Sequence, residues 1–340
     1  MHFSLVIPVH NGASVLSETL AAVQRCEPAP REVIVVDDGS TDDTASVATA
    51  GGARVVTVQE GPLGPAAART RGAEAATGEV VVFTDADVIA PPDLFALLRD
   101  DFILTKAAAV QGTFADACPF PKYCSRYKNL YNRFVINALP DWIDTTFTSL
   151  TAVRRDLFFS CGGFDCNIRT PSVEDRTLGR NLVRAGGRIL LDRRIEVIHN
   201  KRLTLLGFIK NQFRRSRDLA KLLLRNRTER RSAPEAPTSI DRQGRFGTNA
   251  PSTMARIPVA YLGALAFVAG CLGLHAAWVV VGGCACLFVA LAFPFTRYLL
   301  RHCGWGFALV GLPLNLLDAF VSGAGVALGL FDFVIRRREY

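Results

Sequence analysis

Val80-Val81-Val82-Phe83-Thr84-Asp85-Ala86-Asp87 is an apolar run that ends in two carboxylates one residue apart. Val and Phe without polar alternation suit a strand buried on both faces. On an extended chain residues i and i+2 project to the same side, so Asp85 and Asp87 address one site just past the strand. Two close carboxylates repel unless a cation sits with them. Oxygen donors beside a diphosphate suit Mg2+ or Mn2+. The plain alternative is a pair of solvated turn acids.

Working outward, residues 3–9, 32–37, 54–58 and 108–112 are further Val-rich strand candidates. Leu16, Leu20 and Val23 recur at helical spacing between the first two. Leu94, Leu97, Leu98 and Phe102 do so after Pro91-Pro92. This βαβ alternation predicts an α/β fold on an open, mostly parallel sheet, whose ligands bind beyond the carboxyl ends of the strands. Polar clusters mark three such ends: His10-Asn11, Asp37-Asp38-Gly39-Ser40 and Asp85-Ala86-Asp87. A carboxylate in the second cluster can accept the N3–H of uracil or a ribose hydroxyl, although Asp-Gly-Ser is also an ordinary turn. In Ala68-Arg69-Thr70-Arg71-Gly72 a guanidinium is available to grip phosphate oxygens bidentately. Glu174-Asp175 opens a helical pattern. Acids there complement the helix dipole, or one of them serves as a general base.

Of 340 residues, 49% are hydrophobic and 21% charged, which excludes a disordered chain. The net charge of +8 is localised: residues 201–256 hold fourteen basic and four acidic side chains, and the rest has a small acidic surplus. Such a distribution argues against a nucleic-acid partner, which a basic domain surface would serve. Nine cysteines without a CxxC pair read as reduced thiols of a cytosolic domain, and the start of the chain reads as lacking a signal peptide.

Residues 226–256, rich in Pro, Ser, Arg and Gly, read as a basic cytoplasmic linker after a domain at 1–225. In residues 257–293 only His275 can take up charge. A span needs about 20 apolar residues, so this stretch suits two short spans turning near Gly273-Leu274-His275. A second apolar stretch, 304–335, interrupted by Pro313, Asp318 and Asp332, reads as one tilted span or as an interfacial helix followed by a span, with four short crossings or a re-entrant third segment as ways to an even count. The expectation is a transmembrane region over 257–335 with two to four spans. Lys and Arg favour the cytoplasmic side, which puts the linker, the 297–301 segment and the Arg336-Arg337-Arg338 tail there together. That requires an even number of crossings, and a single third span would break it. Tyr123, Tyr127, Leu130, Tyr131 and Phe134, interleaved with Lys122, Arg126, Lys128 and Arg133, fit either an interfacial amphipathic segment or a helix on the sheet.

Taken in order, these motifs resemble family 2 glycosyltransferases of the inverting GT-A class over about residues 1–220. The set is Ile7-Pro8-Val9-His10-Asn11, Val36-Asp37-Asp38-Gly39-Ser40, Ala68-Arg69 through Gly78-Glu79, Asp85-Ala86-Asp87, Gly162-Gly163-Phe164-Asp165 and Glu174-Asp175. The resemblance implies an open mixed α/β sheet of GT-A type with flanking helices, followed by transmembrane helices. It places Pro8, His10, Asp38, Arg69 and Asp85 at the nucleotide-sugar, Asp87 and His199 at a Mg2+ or Mn2+ ion, and Asp175 with Glu174 at catalysis. Three positions depart from the family pattern. His10 stands for a tyrosine and Thr70 for an asparagine. Gln212-Phe213-Arg214-Arg215-Ser216 matches an acceptor-side QxxRW motif, with Ser216 in place of tryptophan, which argues against processive synthesis. Gln212 and Arg215 are then expected on the acceptor or diphosphate side.

The implied activity moves a sugar from a nucleotide-diphosphate sugar, UDP-linked by preference, to a hydroxyl of a lipid or lipid-linked acceptor. The protein would be a multi-pass cell-membrane protein with its catalytic domain in the cytoplasm. A polyprenyl phosphate is the alternative acceptor. A sugar nucleotidyltransferase and a non-catalytic membrane scaffold are the readings from other classes. The first usually carries a Gly-rich phosphate loop where this chain has His10-Asn11-Gly12, and the second has no need of the ordered acids.

Overall fold

The computed structural model describes residues 1–59, 61–120, 122–232 and 251–336. Most of the expected linker at 226–256, together with Arg337 and Arg338 of the tail, lies outside the described residues. The chain forms two compact units. Of the described residues, one unit holds those of 1–120 and 136–202, and the other those of 122–135, 203–232 and 251–336.

The first unit begins with β1 (Phe3–Val9), α1 (Ala13–Gln24), β2 (Glu32–Asp37), α2 (Thr44–Ala50), β3 (Arg54–Thr57), α3 (Pro65–Ala75) and β4 (Val80–Thr84). It continues through β5 (Val88–Ile89), α4 (Leu94–Thr105) and β6 (Ala109–Phe114), and enters α5 (Tyr123–Asn137) at its last turn. It ends with β7 (Trp142–Ile143), β8 (Leu150–Arg154), α6 (Arg155–Ser160), α7 (Glu174–Arg184) and β9 (Ile189–His199). The sheet order is β3-β2-β1-β4-β8-β6-β9-β5, with β7 also on β9. β3, β2, β1 and β4 are mutually parallel, and β8 enters antiparallel between β4 and β6. The sheet is therefore mixed. β4 is buried at all five residues, as its unbroken apolar run requires. The Phe83 ring packs at 5.1–5.3 Å on Phe158 and Phe164.

β8 and β9 escape periodicity reading. β9 carries Asp192-Arg193-Arg194 in its middle, and its pairing with β6 shifts register between Gln111 and Thr113. Buried Gln111 accounts for the join to β8: its amide N–H groups donate to the carbonyls of Phe147 and Leu150, while Phe147 N–H and Thr151 Oγ1–H donate to its oxygen.

The second unit holds the start of α5, α8 (Leu205–Ser232), α9 (Pro251–Cys271) and α10 (Ala277–Val334). The boundary read at 225 falls inside α8, which belongs wholly to this unit. α9 and α10 are separated by a turn at 272–276, and α10 breaks at Gly304, whose φ of 80° leaves the helical region. Two helices, Met254–Cys271 and Ala277–Val334, are long and apolar enough to cross a membrane. Tyr123, Tyr127, Leu130, Tyr131 and Phe134 join Phe208 of α8 and Phe295, Leu299 and Phe307 of α10 in a second core, because the helices after residue 203 offer a larger aromatic surface.

Candidate active site

β1, β2 and β4 are adjacent and parallel, so the residues after their carboxyl ends, His10, Asp38 and Asp85, emerge on one edge. β2 flanks β1 on one side and β4 on the other, the arrangement that opens a ligand crevice in such sheets. Pro8 lies within β1 opposite Val36. The exposed His10 ring donates from Nδ1 to the carbonyl of Asp38 at 2.9 Å.

Asp38 is buried, and its two carboxylate oxygens accept the backbone N–H groups of Leu63 and Gly64 at 2.8 Å each. Its carboxylate thus fixes the loop that leads into α3, which Pro65 opens at a position where its missing N–H costs nothing. Each oxygen keeps a further lone pair. Gly61 passes so close to Asp38 that a Cβ would lie 2.9 Å from its carbonyl, which makes a side chain there incompatible with the loop.

Arg69 on α3 is 3% exposed. Its Nη2 donates to Asp85 at 2.7 Å and its Nη1 to Glu174 at 3.1 Å. Burial works against the guanidinium charge, but Asp85, Glu174 and the neighbouring Asp175 outweigh it and raise its pKa. One buried cation therefore joins the DxD strand end to the start of α7. Both oxygens of Glu174 are committed, the second accepting the Ser172 N–H at 2.7 Å. Glu174, expected beside Asp175 at catalysis, is buried and ion-paired to Arg69. Arg69 likewise spends its two terminal nitrogens on carboxylates rather than phosphates. Asp175 is half-buried in the first turn of α7, its carbonyl accepting the Thr146 hydroxyl at 2.7 Å.

His199 closes the site from the far strand. Val88 pairs with His199, and Asn200 N–H donates to the Asp87 carbonyl at 2.7 Å, bringing the imidazole Nε2 to 3.2 Å from Asp87 Oδ1. Phe114 stacks on the ring at 5.4 Å. Burial pushes the Asp87 carboxyl upward, yet His199 and Lys201 overcome this and hold it at about 2. His199 Nε2 is buried and makes no hydrogen bond. Ligand atoms of Asp85, Asp87 and His199 all lie within 4.8 Å of one another. An unsatisfied ring nitrogen facing two carboxylates fits a divalent cation, for which this donor set is suited.

Sequence reasoning missed Phe114, Thr146 and Asn200, which orient His199, Asp175 and Asp87. None sits in a motif, and no periodicity marks them. Gln212 and Arg215 lie on α8 in the second unit. The Gln212 carbonyl accepts from Lys128 Nζ at 2.7 Å, and its amide donates to Asp318.

Residues 4–161 match the sequence profile of glycosyl transferase family 2. The O-antigen chain rhamnosyltransferase of Salmonella anatum is 27% identical over 218 residues, 59% of this chain and 67% of the relative. The undecaprenyl-phosphate 4-deoxy-4-formamido-L-arabinose transferase of Sodalis glossinidius is 39% identical over 99 residues, 26% of this chain and 30% of the relative. Among solved structures, a mannosyltransferase from Pyrobaculum calidifontis in complex with GDP-Man and Mn2+ superposes with a TM-score of 0.62 at 22% identity. The match covers 93% of this chain and 87% of that one, and it shows that the two share a GT-A fold.

Proposed function

Because the chain carries a glycosyl transferase family 2 domain at residues 4–161, we propose that it is a membrane-bound inverting glycosyltransferase. It transfers a sugar from a nucleotide-diphosphate sugar, UDP-linked by preference, to a hydroxyl of a lipid or lipid-linked acceptor. The observation that carries this reading is the Glu174–Arg69–Asp85 chain, with links of 3.1 and 2.7 Å. It links the strand end proposed to hold the cation to Glu174, the residue before Asp175, which supports a donor and a base addressing one reacting centre.

Asp85, Asp87 and His199 would hold Mg2+ or Mn2+, which when bound neutralises charge on the diphosphate leaving group. His10 and Asp38 lie where a nucleoside would sit, Asp38 accepting a base N–H. Asp175 takes the proton of the acceptor hydroxyl as its oxygen attacks the anomeric carbon from the face opposite the departing diphosphate. A single displacement inverts the configuration, and no covalent intermediate forms. Glu174 and Arg69 position Asp175 and Asp85.

The two long apolar helices and the basic stretch before them support a multi-pass cell-membrane protein with a cytoplasmic catalytic domain, whose acceptor lies at the bilayer. The similarity to an undecaprenyl-phosphate transferase favours a second reading, a polyprenyl phosphate acceptor. That acceptor is ionised at neutral pH and has no need of Asp175 as a base.

The test incubates membranes containing the protein with labelled UDP- and GDP-sugars, with and without EDTA. Label is expected in lipid only when divalent metal is present. Asp175→Asn should abolish transfer while donor binding persists. Full turnover in that variant overturns the hydroxyl mechanism and favours the phosphate acceptor, and pyrophosphate release from a nucleoside triphosphate would point to a nucleotidyltransferase.

A further inference from the structure

We infer that the second half of α10, residues 305–334, does not cross the membrane but lies in its surface on the side of the basic residues, its outer face against acyl chains. This inference rests on the membrane reading above.

The half-helix is inside-out. Its buried stripe holds Asn315, Asp318 and Asp332 among the small residues Ala308, Gly311, Ala319, Gly325 and Gly329, with Leu314 the one large apolar side chain. Its exposed positions include Trp305, Leu309, Val310, Leu316, Leu330 and Phe331, with Trp305 73% and Leu309 62% exposed. A helix that turns polar groups inward and large apolar ones outward requires an apolar surrounding on its outer face.

The partner on the inner face decides between crossing and lying flat. α8 runs alongside from the Gln212–Asp318 hydrogen bond to the Lys221–Asp332 pair at 3.7 Å. Between these points the helices touch backbone to backbone: a Cβ at Gly325 would strike the Phe213 carbonyl, and one at Gly329 that of Arg217. Residues 318–332 cover about 21 Å at 1.5 Å per residue, most of a bilayer core of about 30 Å. The facing stretch of α8, residues 212–221, covers about 14 Å at the same rise and carries Arg214, Arg215, Arg217, Asp218 and Lys221. If this half of α10 spanned the bilayer, it would draw all five charges through the hydrocarbon, where charged side chains are strongly disfavoured.

Contacts with the other apolar helices agree. α9 and the first half of α10 close on each other as an antiparallel hairpin, with Gly263 on Cys284, and Gly270 and Phe267 on Trp278. The second half of α10 meets that hairpin near its basic end. Arg256 donates to Asn315, Tyr261 donates to the Phe320 carbonyl at 2.8 Å, and Phe288 and Ala292 pack near Ala319. A third span would follow the hairpin toward the turn at 272–276. Two crossings then leave the linker, Arg297, Arg301 and Arg336 on one side, which satisfies the charge rule.

The experiment uses the full chain with its native cysteines replaced and a single cysteine at Leu274→Cys or Tyr340→Cys, probed in intact and permeabilised cells with a membrane-impermeant maleimide. The two positions are expected on opposite sides of the membrane, and labelling from the same side overturns the inference. Release of the chain by alkaline carbonate, with neither position sided, would instead overturn the membrane reading itself. A second measurement separates lying flat from partial insertion. Single-tryptophan chains bearing Trp305, Leu316→Trp or Phe331→Trp should be quenched equally by shallowly brominated lipids, and a graded depth along the three positions overturns the in-plane placement.

Discussion

Arg69 shows how one residue sets the roles of its neighbours. Its side chain and that of Glu174 are each 4% exposed, so neither charge is screened, and removing one partner of such a pair costs about 3–5 kcal/mol. Glu174→Gln keeps an acceptor for Arg69 but loses the charge. It is expected to lower thermal stability by an amount near the lower end of that range, along with turnover. Asp175→Asn, which leaves both Arg69 ion pairs in place, should lower the melting temperature less than Glu174→Gln does, while turnover is lost. Differential scanning fluorimetry beside a transfer assay distinguishes the two. The carboxylates themselves were legible, because a DxD after a valine run and an acidic pair opening a helix are local patterns. Asp175 as the base and His199 near the metal came from the family resemblance alone; the pairing of Arg69 with Glu174, more than a hundred positions away, and the short strand pairing that delivers His199 to Asp87 were not legible in local pattern.

At the scale of elements, α4 is clasped to β9 by a carboxylate pair. Burial and the adjacent Asp192 push the Asp101 carboxyl up to about 7, although Arg194 donates to it at 2.7 Å. Asp192 is shifted the other way: burial raises it, but hydrogen bonds from Arg194 lower it overall. A carboxyl raised in the folded state binds a proton that the unfolded chain releases. Its contribution to stability is full below the ordinary carboxyl range, falls as pH rises from about 4 to 7, and is flat above. Asp101→Asn should flatten the melting temperature over that window while leaving the loss of stability below pH 4, where Asp192 takes up its proton, in place. In the second unit, Gly329→Leu would force α8 and α10 apart. The expected cost is about 1–3 kcal/mol, read as a lower unfolding temperature of the detergent-solubilised chain. The five strands with continuous apolar character were readable from the sequence. β9 was not, because Asp192, Arg193 and Arg194 break its pattern to make this clasp. For α5 the amphipathic pattern was plain while its partner was not, since periodicity reports a face and not what covers it.

For the whole molecule, the excess of positive charge in residues 201–256 would, on the proposed membrane reading, serve as a link to lipid. Near an anionic surface each basic side chain contributes about 1 kcal/mol. Reconstituted activity should therefore be higher in vesicles containing anionic lipid than in neutral ones. The difference should vanish near 1 M salt, where the screening length is about 3 Å; equal activity in both at low salt would count against an electrostatic role. The sequence by itself determined the α/β alternation, the positions of the strand-end acids, the apolar stretches and the location of the basic segment, because each is written in local patterns of burial and charge. The family resemblance supplied the mixed sheet and set His199 beside Asp87; only the tertiary structure decided which strand enters antiparallel, that Arg69 joins Asp85 to Glu174, and that α8 accompanies the last half of α10. Each of these is a contact between residues far apart in the chain, and local propensity carries no information about which distant surface a side chain will meet.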